Sequence, residues 1–227
     1  GNRAISSKCG SADVLMELGV NLNVPVETVE ECIREAGIGF LFAPNLHPAM
    51  KHAMGPRREL GVRTIFNMLG PLTNPAGARG QIIGVFAPHL TETFANVLRL
   101  LGSRRAFIVH GHDGMDEITT TTATRVSELA DGRVRTYELD PREFIGEYAD
   151  GAALKGGDPA RNAAIVRGVL GGEDGPARDI ACLNAAAAVV AGGKADTMAE
   201  GWALAEQSVD GGGAQRALEK LVELTKE

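Results

Sequence analysis

Three clusters in this 227-residue chain combine residue types that can do chemistry. The first is Gly1-Asn2-Arg3-Ala4-Ile5-Ser6-Ser7-Lys8-Cys9-Gly10-Ser11-Ala12-Asp13. Hydroxyls, an amide, an arginine and a lysine stand there among glycines, directly before a helix start. Backbone N–H groups and cations can converge on one anion in such a segment, and phosphate is the natural guest. An ordinary polar loop ending in an N-cap serine is the competing reading.

The second cluster is Pro56-Arg57-Arg58-Glu59. Arginine suits two-pronged recognition of a carboxylate, whereas an exposed charge pair is the plain alternative. The third is His110-Gly111-His112-Asp113-Gly114-Met115-Asp116-Glu117, following an apolar strand. Asp116 and Glu117 are adjacent hard oxygen donors, the ligand type for Mg²⁺ that also binds substrate phosphates. His110 and His112 lack a matched third ligand, and His47 and His52 are five apart rather than the four that share a helix face. No nucleophile is expected: Cys9 has no general base beside it and reads as a small buried residue. Together the clusters describe a site for a phosphorylated substrate with Mg²⁺.

Elements able to position these residues follow from periodicity. Ser11 is expected to cap a short helix closed by Gly19, and Pro25 opens a second in which Val26, Val29, Ile33 and Ala36 recur at helical spacing. The apolar run 38–43 predicts a buried strand, 48–60 a broken helix, and 69–77 a loop dense in glycine and proline. Residues 81–87, 91–101 and 105–110 read strand, helix, strand, the pattern of a parallel βαβ unit. Strands 124–129 and 133–139 meet at Asp131-Gly132, a strong hairpin signal. The last third is helical: Asp158-Pro159, the Ala-rich stretch 178–191 and the Thr197–Glu200 capping box each mark a helix, and a final one follows Gly213. Small side chains on nearly all faces of the Ala-rich helix imply enclosure, so Asn184 within it needs a hydrogen-bond partner. The expected class is α/β: a central, mostly parallel, mixed sheet flanked by helices on both faces.

Composition bounds the rest. A net charge of −6 with 44% hydrophobic and 23% charged residues describes a folded chain with no electrostatic reason to bind nucleic acid. Three cysteines without a C-x-x-C pair indicate neither a disulfide framework nor a zinc site, hence a reducing, cytoplasmic setting. No apolar run reaches the roughly 18 residues of a membrane span. The opening Gly1-Asn2-Arg3 is not an initiator sequence and reads as the start of a fragment.

GNRAISSKCGSADVLMELG, GIGFLFAPNLHPAMKHAMGPRRELGVRTIFNMLGPLTNP, and VHGHDGMDEI followed by LNAAAAVV together resemble the anthranilate phosphoribosyltransferase family, over essentially all 227 residues. The resemblance implies one catalytic α/β domain, 1–227, of the nucleoside phosphorylase/phosphoribosyltransferase type. Its activity would move the phosphoribosyl group of 5-phosphoribosyl-1-diphosphate onto the amino nitrogen of anthranilate, in tryptophan biosynthesis. By position, Gly1, Asn2, Arg3, Ala4, Ile5, Ser6, Ser7, Lys8 and Ser11 would line the sugar-diphosphate site. Asn2 would also reach anthranilate, Arg57 would hold its carboxylate, and Asp116 and Glu117 would engage Mg²⁺. The family carries, upstream of GNR, a helical domain used in homodimerisation, a GTGGD-type loop, an NxST turn and a Lys-His pair. The sequence therefore matches an N-terminally truncated form, expected by itself to bind the sugar diphosphate weakly or not at all, with 45–64 left to pack on the helical domain. A pyrimidine nucleoside phosphorylase would show TGGTxD where this chain has SKCGSAD, and the acidic charge opposes a nucleic-acid-binding relative.

Overall fold

Alternating apolar runs from Gly80 onward build the sheet that carries the third cluster. The computed structural model describes residues 1–3, 9–46 and 66–226. They form two compact units, one of Gly1–Thr64, Lys155–Glu173 and Ser208–Glu227, the other of Ile65–Leu154 and Asp174–Gln207.

In the second unit, β1 (Gly80–Gly84) pairs in parallel with β2 (Arg105–Gly111), the crossover being helix α5 (Leu90–Leu100). β2 continues antiparallel to β3 (Thr124–Ala130), and β3 to β4 (Arg133–Leu139), giving the order β1-β2-β3-β4. The sheet is thus mixed, as expected, but not mostly parallel: among the described strands two antiparallel pairs outnumber one parallel pair, because the Asp131-Gly132 hairpin adds β4 antiparallel to β3. The predicted hairpin forms because Asp131 (φ 50°) and Gly132 (φ 72°) both take the left-handed conformation of a type I′ turn, whose twist matches the strands.

Side chains alternate across the sheet. Ile83, Val85, Ala106, Ile108 and Leu129 face α5, and helix α4 (Phe66–Leu72) adds Met68 and Leu72 on that side. Phe107, Val109, Val126 and Leu139 face the other way, onto helix α8 (Pro176–Ala191) through Leu183, Ala187 and Val190. Helices therefore cover both faces. The Ala-rich helix is not enclosed all round: Cys182, Leu183, Ala186 and Ala187 are buried, but Ala181 and Ala188 form an exposed stripe. Helix α9 (Met198–Asp210) opens on the expected capping box, Thr197 Oγ1 accepting from Glu200 N (3.2 Å) and Glu200 Oε2 from Thr197 N (3.2 Å).

The first unit is helical: α1 (Ser11–Glu17), α2 (Val26–Glu35), α3 (Ala43–Leu46), α7 (Pro159–Leu170) and α10 (Gly213–Leu224). The short helix α6 (Arg142–Ile145) belongs to the sheet unit. Asp158 caps α7 by accepting from Arg161 N at 2.8 Å. Its core gathers Ala12, Val20, Leu22, Cys32, Phe42 and Leu221. Four expectations are corrected. Gly10, not Ser11, is the N-cap of α1, because the Asp13 carboxylate turns back to the Gly10 amide (2.8 Å). The inward stripe of α2 runs from half-buried Val29 through buried Cys32 to half-buried Ala36, while Val26 and Ile33 are exposed. Residues 38–42 form no strand and 43 begins a helix; their ladder contacts are two bonds with Gly1, from Gly1 N to Leu41 O (2.8 Å) and Ala43 N to Gly1 O (3.0 Å). Finally, 69–72 belong to α4 rather than to a loop. Pro71 lies in its last turn, and Thr73 Oγ1 closes the end on Leu69 O (2.9 Å). The expected helix at 48–60 lies outside the described residues.

Candidate active site

β2 is an unbroken buried run from Ala106 to Gly111, so the chain can leave the sheet only beyond its C-terminal end. That is the strand end where open α/β sheets place ligands. Residues 112–123 form the departing loop. Gly111 N donates to Met115 O (2.8 Å), and Gly114 N to Gly111 O (2.9 Å), folding the chain back on the strand end.

Asp113 organises this loop. Its Oδ1 accepts from Met115 N (3.0 Å), and its Oδ2 from the hydroxyls of Thr119 (2.6 Å) and Thr121 (2.5 Å). Burial pushes the Asp113 carboxyl up, but these hydrogen bonds outweigh it and hold the group below the usual carboxylate range. Thr119 N in turn donates to Thr124 Oγ1 (3.0 Å) at the start of β3.

Asp116 and Glu117 project from this frame, both exposed. Desolvation by surrounding protein, then the neighbouring Asp116 charge, raises the Glu117 carboxyl above its ordinary value although the side chain still reaches solvent. A divalent cation would relieve that repulsion. No group of three or more His, Cys, Asp or Glu side chains suited to a metal occurs among the described residues. The pair fits Mg²⁺, which takes one or two carboxylates and completes its shell with water and phosphate oxygens, and does not fit an all-protein cage. The histidines are engaged elsewhere: His110 Nδ1 lies 2.7 Å from Val85 O and His112 Nε2 2.7 Å from Glu138 Oε2.

In the other unit, Asn2 O accepts from Ala12 N (3.2 Å) and Ser11 Oγ (3.5 Å), which ties the GNR segment to the first turn of α1. Asn2 Oδ1 accepts from Arg3 N (2.9 Å), and Arg3 Nη2 donates to Met16 Sδ (3.7 Å). Gly1, Asn2, Arg3 and Ser11 are all exposed, and so accessible to a ligand. Ala4, Ile5, Ser6, Ser7, Lys8 and Arg57, together with His47 and His52, lie outside the described residues. The expected substrate residues at 1–3 and 11 are thus brought together in one unit, and Asp116 with Glu117 in the other. Cys9, Cys32 and Cys182 form no disulfide, and Cys9 is half-buried.

Sequence reasoning missed Asp113, Thr119 and Thr121. A signal existed: an Asp two residues before a backbone amide, followed by a threonine run, is an Asx-turn pattern with hydroxyl donors close by.

Comparison with known proteins bears on the whole chain. Residues 1–215 match the family described as glycosyl transferase family, a/b domain. The anthranilate phosphoribosyltransferase of Desulfosudis oleivorans is 59% identical over 227 residues, covering 100% of this chain and 67% of that protein. The crystal structure of anthranilate phosphoribosyltransferase from Thermus thermophilus is 47% identical and superposes with a TM-score of 0.93 over 100% of this chain and 68% of that one. The Saccharomyces cerevisiae enzyme in complex with PRPP and Mg is 30% identical with a TM-score of 0.88, over 99% of this chain and 63% of that one. The yeast enzyme in complex with 4-fluoroanthranilate, also 30% identical, gives a TM-score of 0.85 over 95% of this chain and 63% of that one. The chain spans about two-thirds of the length of the relatives it matches.

Proposed function

This chain belongs to the anthranilate phosphoribosyltransferase family of glycosyl transferases, and from that premise we propose that it transfers the phosphoribosyl group of 5-phosphoribosyl-1-diphosphate to the amino nitrogen of anthranilate, releasing diphosphate. The observation that carries this reading is the Asp116–Glu117 pair, held on a braced loop beyond the C-terminal end of β2.

The chemistry asks little covalent help of the protein. An aromatic amine is neutral at pH 7 and keeps its lone pair, so no strong base is needed. The sugar C1–oxygen bond breaks with positive charge growing on the ribose ring and negative charge on diphosphate; the C1–nitrogen bond forms, and the amine proton passes to solvent. Asp116 and Glu117 would hold Mg²⁺ directly or through water, and the bound ion would supply charge stabilisation to the departing diphosphate. Asn2, Arg3 and Ser11, with Ser6, Ser7 and Lys8, bind the phosphates and fix the sugar. By the same resemblance, Gly1, Ala4 and Ile5 contribute to that substrate site. Arg57 orients anthranilate through its carboxylate. Positioning and electrostatics account for the rate, and no residue serves as nucleophile.

The setting proposed is the cytoplasm, with small-molecule substrates and neither nucleic acid nor membrane, and the homodimer is that of the full-length protein. The charge of −6 speaks against a nucleic-acid partner and the three unbridged thiols for a reducing setting; among the described residues, no helix is long and apolar enough to cross a membrane.

Loss of anthranilate fluorescence on adding 5-phosphoribosyl-1-diphosphate and Mg²⁺ tests the activity. The doubly substituted Asp116→Asn/Glu117→Gln protein is expected to lose at least tenfold in kcat/KM. Equal turnover by that variant, or turnover indifferent to chelation of divalent cations, contradicts the reading.

A further inference from the structure

We propose that Asn184 is a positioning residue that sets the Asp116–Glu117 carboxylates for a divalent cation. The inference rests on the reading of that pair given above. Asn184 stands in the middle of α8, between Leu183 and a run of four alanines, where an asparagine is a poor helix former. Its carboxamide explains its presence. Oδ1 accepts from Ile118 N (2.9 Å) and Nδ2 donates to Ile118 O (2.8 Å), so one side chain satisfies both backbone groups of one residue, as an adjacent strand would. The second Nδ2 hydrogen goes to Ile180 O, one turn earlier in the helix (2.9 Å). Those three bonds fix the amide orientation, because a flipped group would set its NH₂ against the Ile118 N–H.

Ile118 immediately follows Glu117. Its side chain is fully buried in the cluster shared with Leu183 and Ala187, so both its backbone and its side chain are anchored to α8. On the other side, Met115 precedes Asp116 and is bound by Gly111 N through its carbonyl (2.8 Å). The carboxylate pair therefore spans two fixed points, one on β2 and one on α8. Cation-binding groups must be held within about 0.5 Å of their working geometry. Asn184 grips the residue directly after Glu117, and Thr124 Oγ1 holds only the next amide, that of Thr119.

The test titrates Mn²⁺ against the purified protein in the presence of 5-phosphoribosyl-1-diphosphate, reading free Mn²⁺ by electron paramagnetic resonance. Asn184→Ala removes all three bonds. Asn184→Asp keeps the shape and the acceptor to Ile118 N but turns a second oxygen toward Ile118 O. Near-ultraviolet circular dichroism reports the fold. Both variants are expected to stay folded and to bind Mn²⁺ about 10–100-fold more weakly, the usual range for a lost outer partner of a metal ligand. The Asp116→Asn/Glu117→Gln protein is expected to lose the protein-dependent binding. If it matches the unchanged protein, the carboxylate reading falls and the inference falls with it. If it loses binding while both Asn184 variants, folded, bind as tightly as the unchanged protein, the positioning role alone is overturned. Loss of the folded dichroism by both Asn184 variants would make the residue structural and likewise overturn the proposal.

Discussion

The α-carbon of Gly84, the last residue of β1, faces the backbone of Asp116 so closely that a β-carbon there would overlap the Asp116 carbonyl. The neighbouring strand thus limits where the carboxylate loop can lie, and position 84 admits no side chain while the loop keeps its path. Gly84→Ala is expected to cost about 1–3 kcal/mol, the range for overpacking, and to weaken Mn²⁺ binding by displacing Asp116. Chemical denaturation and the Mn²⁺ titration check the two parts. Wild-type values in both would mean that the loop shifts without consequence.

What could be read in the sequence was what is local. The βαβ unit and the Asp131-Gly132 hairpin declare themselves within a few dozen residues, because periodicity and turn chemistry are properties of short windows. The run 38–43 looked equally like a strand, but a strand needs a partner, and two bonds to Gly1 do not make one. The breakers near Pro71 suggested a loop, yet proline in a helix's last turn removes only one bond and Thr73 closes the end. In the site, the need of Asn184 for a partner was visible, but its partner Ile118 lies 66 residues away and only the fold reveals it. Asp116 and Glu117 were legible as ligands by type; the Asp113 bracing beneath them was not, since it depends on two threonine hydroxyls meeting one carboxylate oxygen.

Asp113 gives a pH signature. With its folded value below the unfolded carboxylate value of about 3.9, its contribution is fully present above about pH 4 and is lost as pH falls through the lowered value. The carboxylate is exposed, so solvent screening brings the contribution to about 1 kcal/mol, below the 1.5–3 typical of bonds to charged groups. Asp113→Asn should show this deficit at pH 7 and approach the unchanged protein at pH 3 in urea melts. A gap that stays constant between those pH values would rule out a role for the charge.

Gly132 tests whether the hairpin turn is specified by its residues. Its φ of 72° is the left-handed conformation, which costs a residue with a β-carbon about 1–2 kcal/mol. Gly132→Ala should lower stability by that amount, or by about 2–4 °C in melting temperature for each kcal/mol in a chain of this size. Because the turn lies at the far end of β3 from Thr124, the carboxylate loop should be untouched and Mn²⁺ affinity unchanged. A drop in that affinity would link the hairpin to the site in a way the local contacts do not.

Tyr137 gives the last test, at high pH. Its hydroxyl donates to Glu128 Oε2 (3.3 Å), Glu128 Oε1 is bridged by Arg105 Nη2 (3.2 Å), and Arg135 stacks over the ring at 4.6 Å. Burial, then the charge and hydrogen bond of Glu128, raise the phenol well above its ordinary value, and the two arginines only partly offset this. The unfolded chain releases that proton near pH 10, whereas the native chain retains it. Native stability should therefore fall as pH rises beyond about 10. An alkaline absorbance titration of the folded protein should show a late component among the two tyrosines, and Tyr137→Phe should remove it and flatten the loss of stability at high pH. If the variant leaves both the titration and the pH dependence unchanged, the phenol is not held by Glu128 in solution.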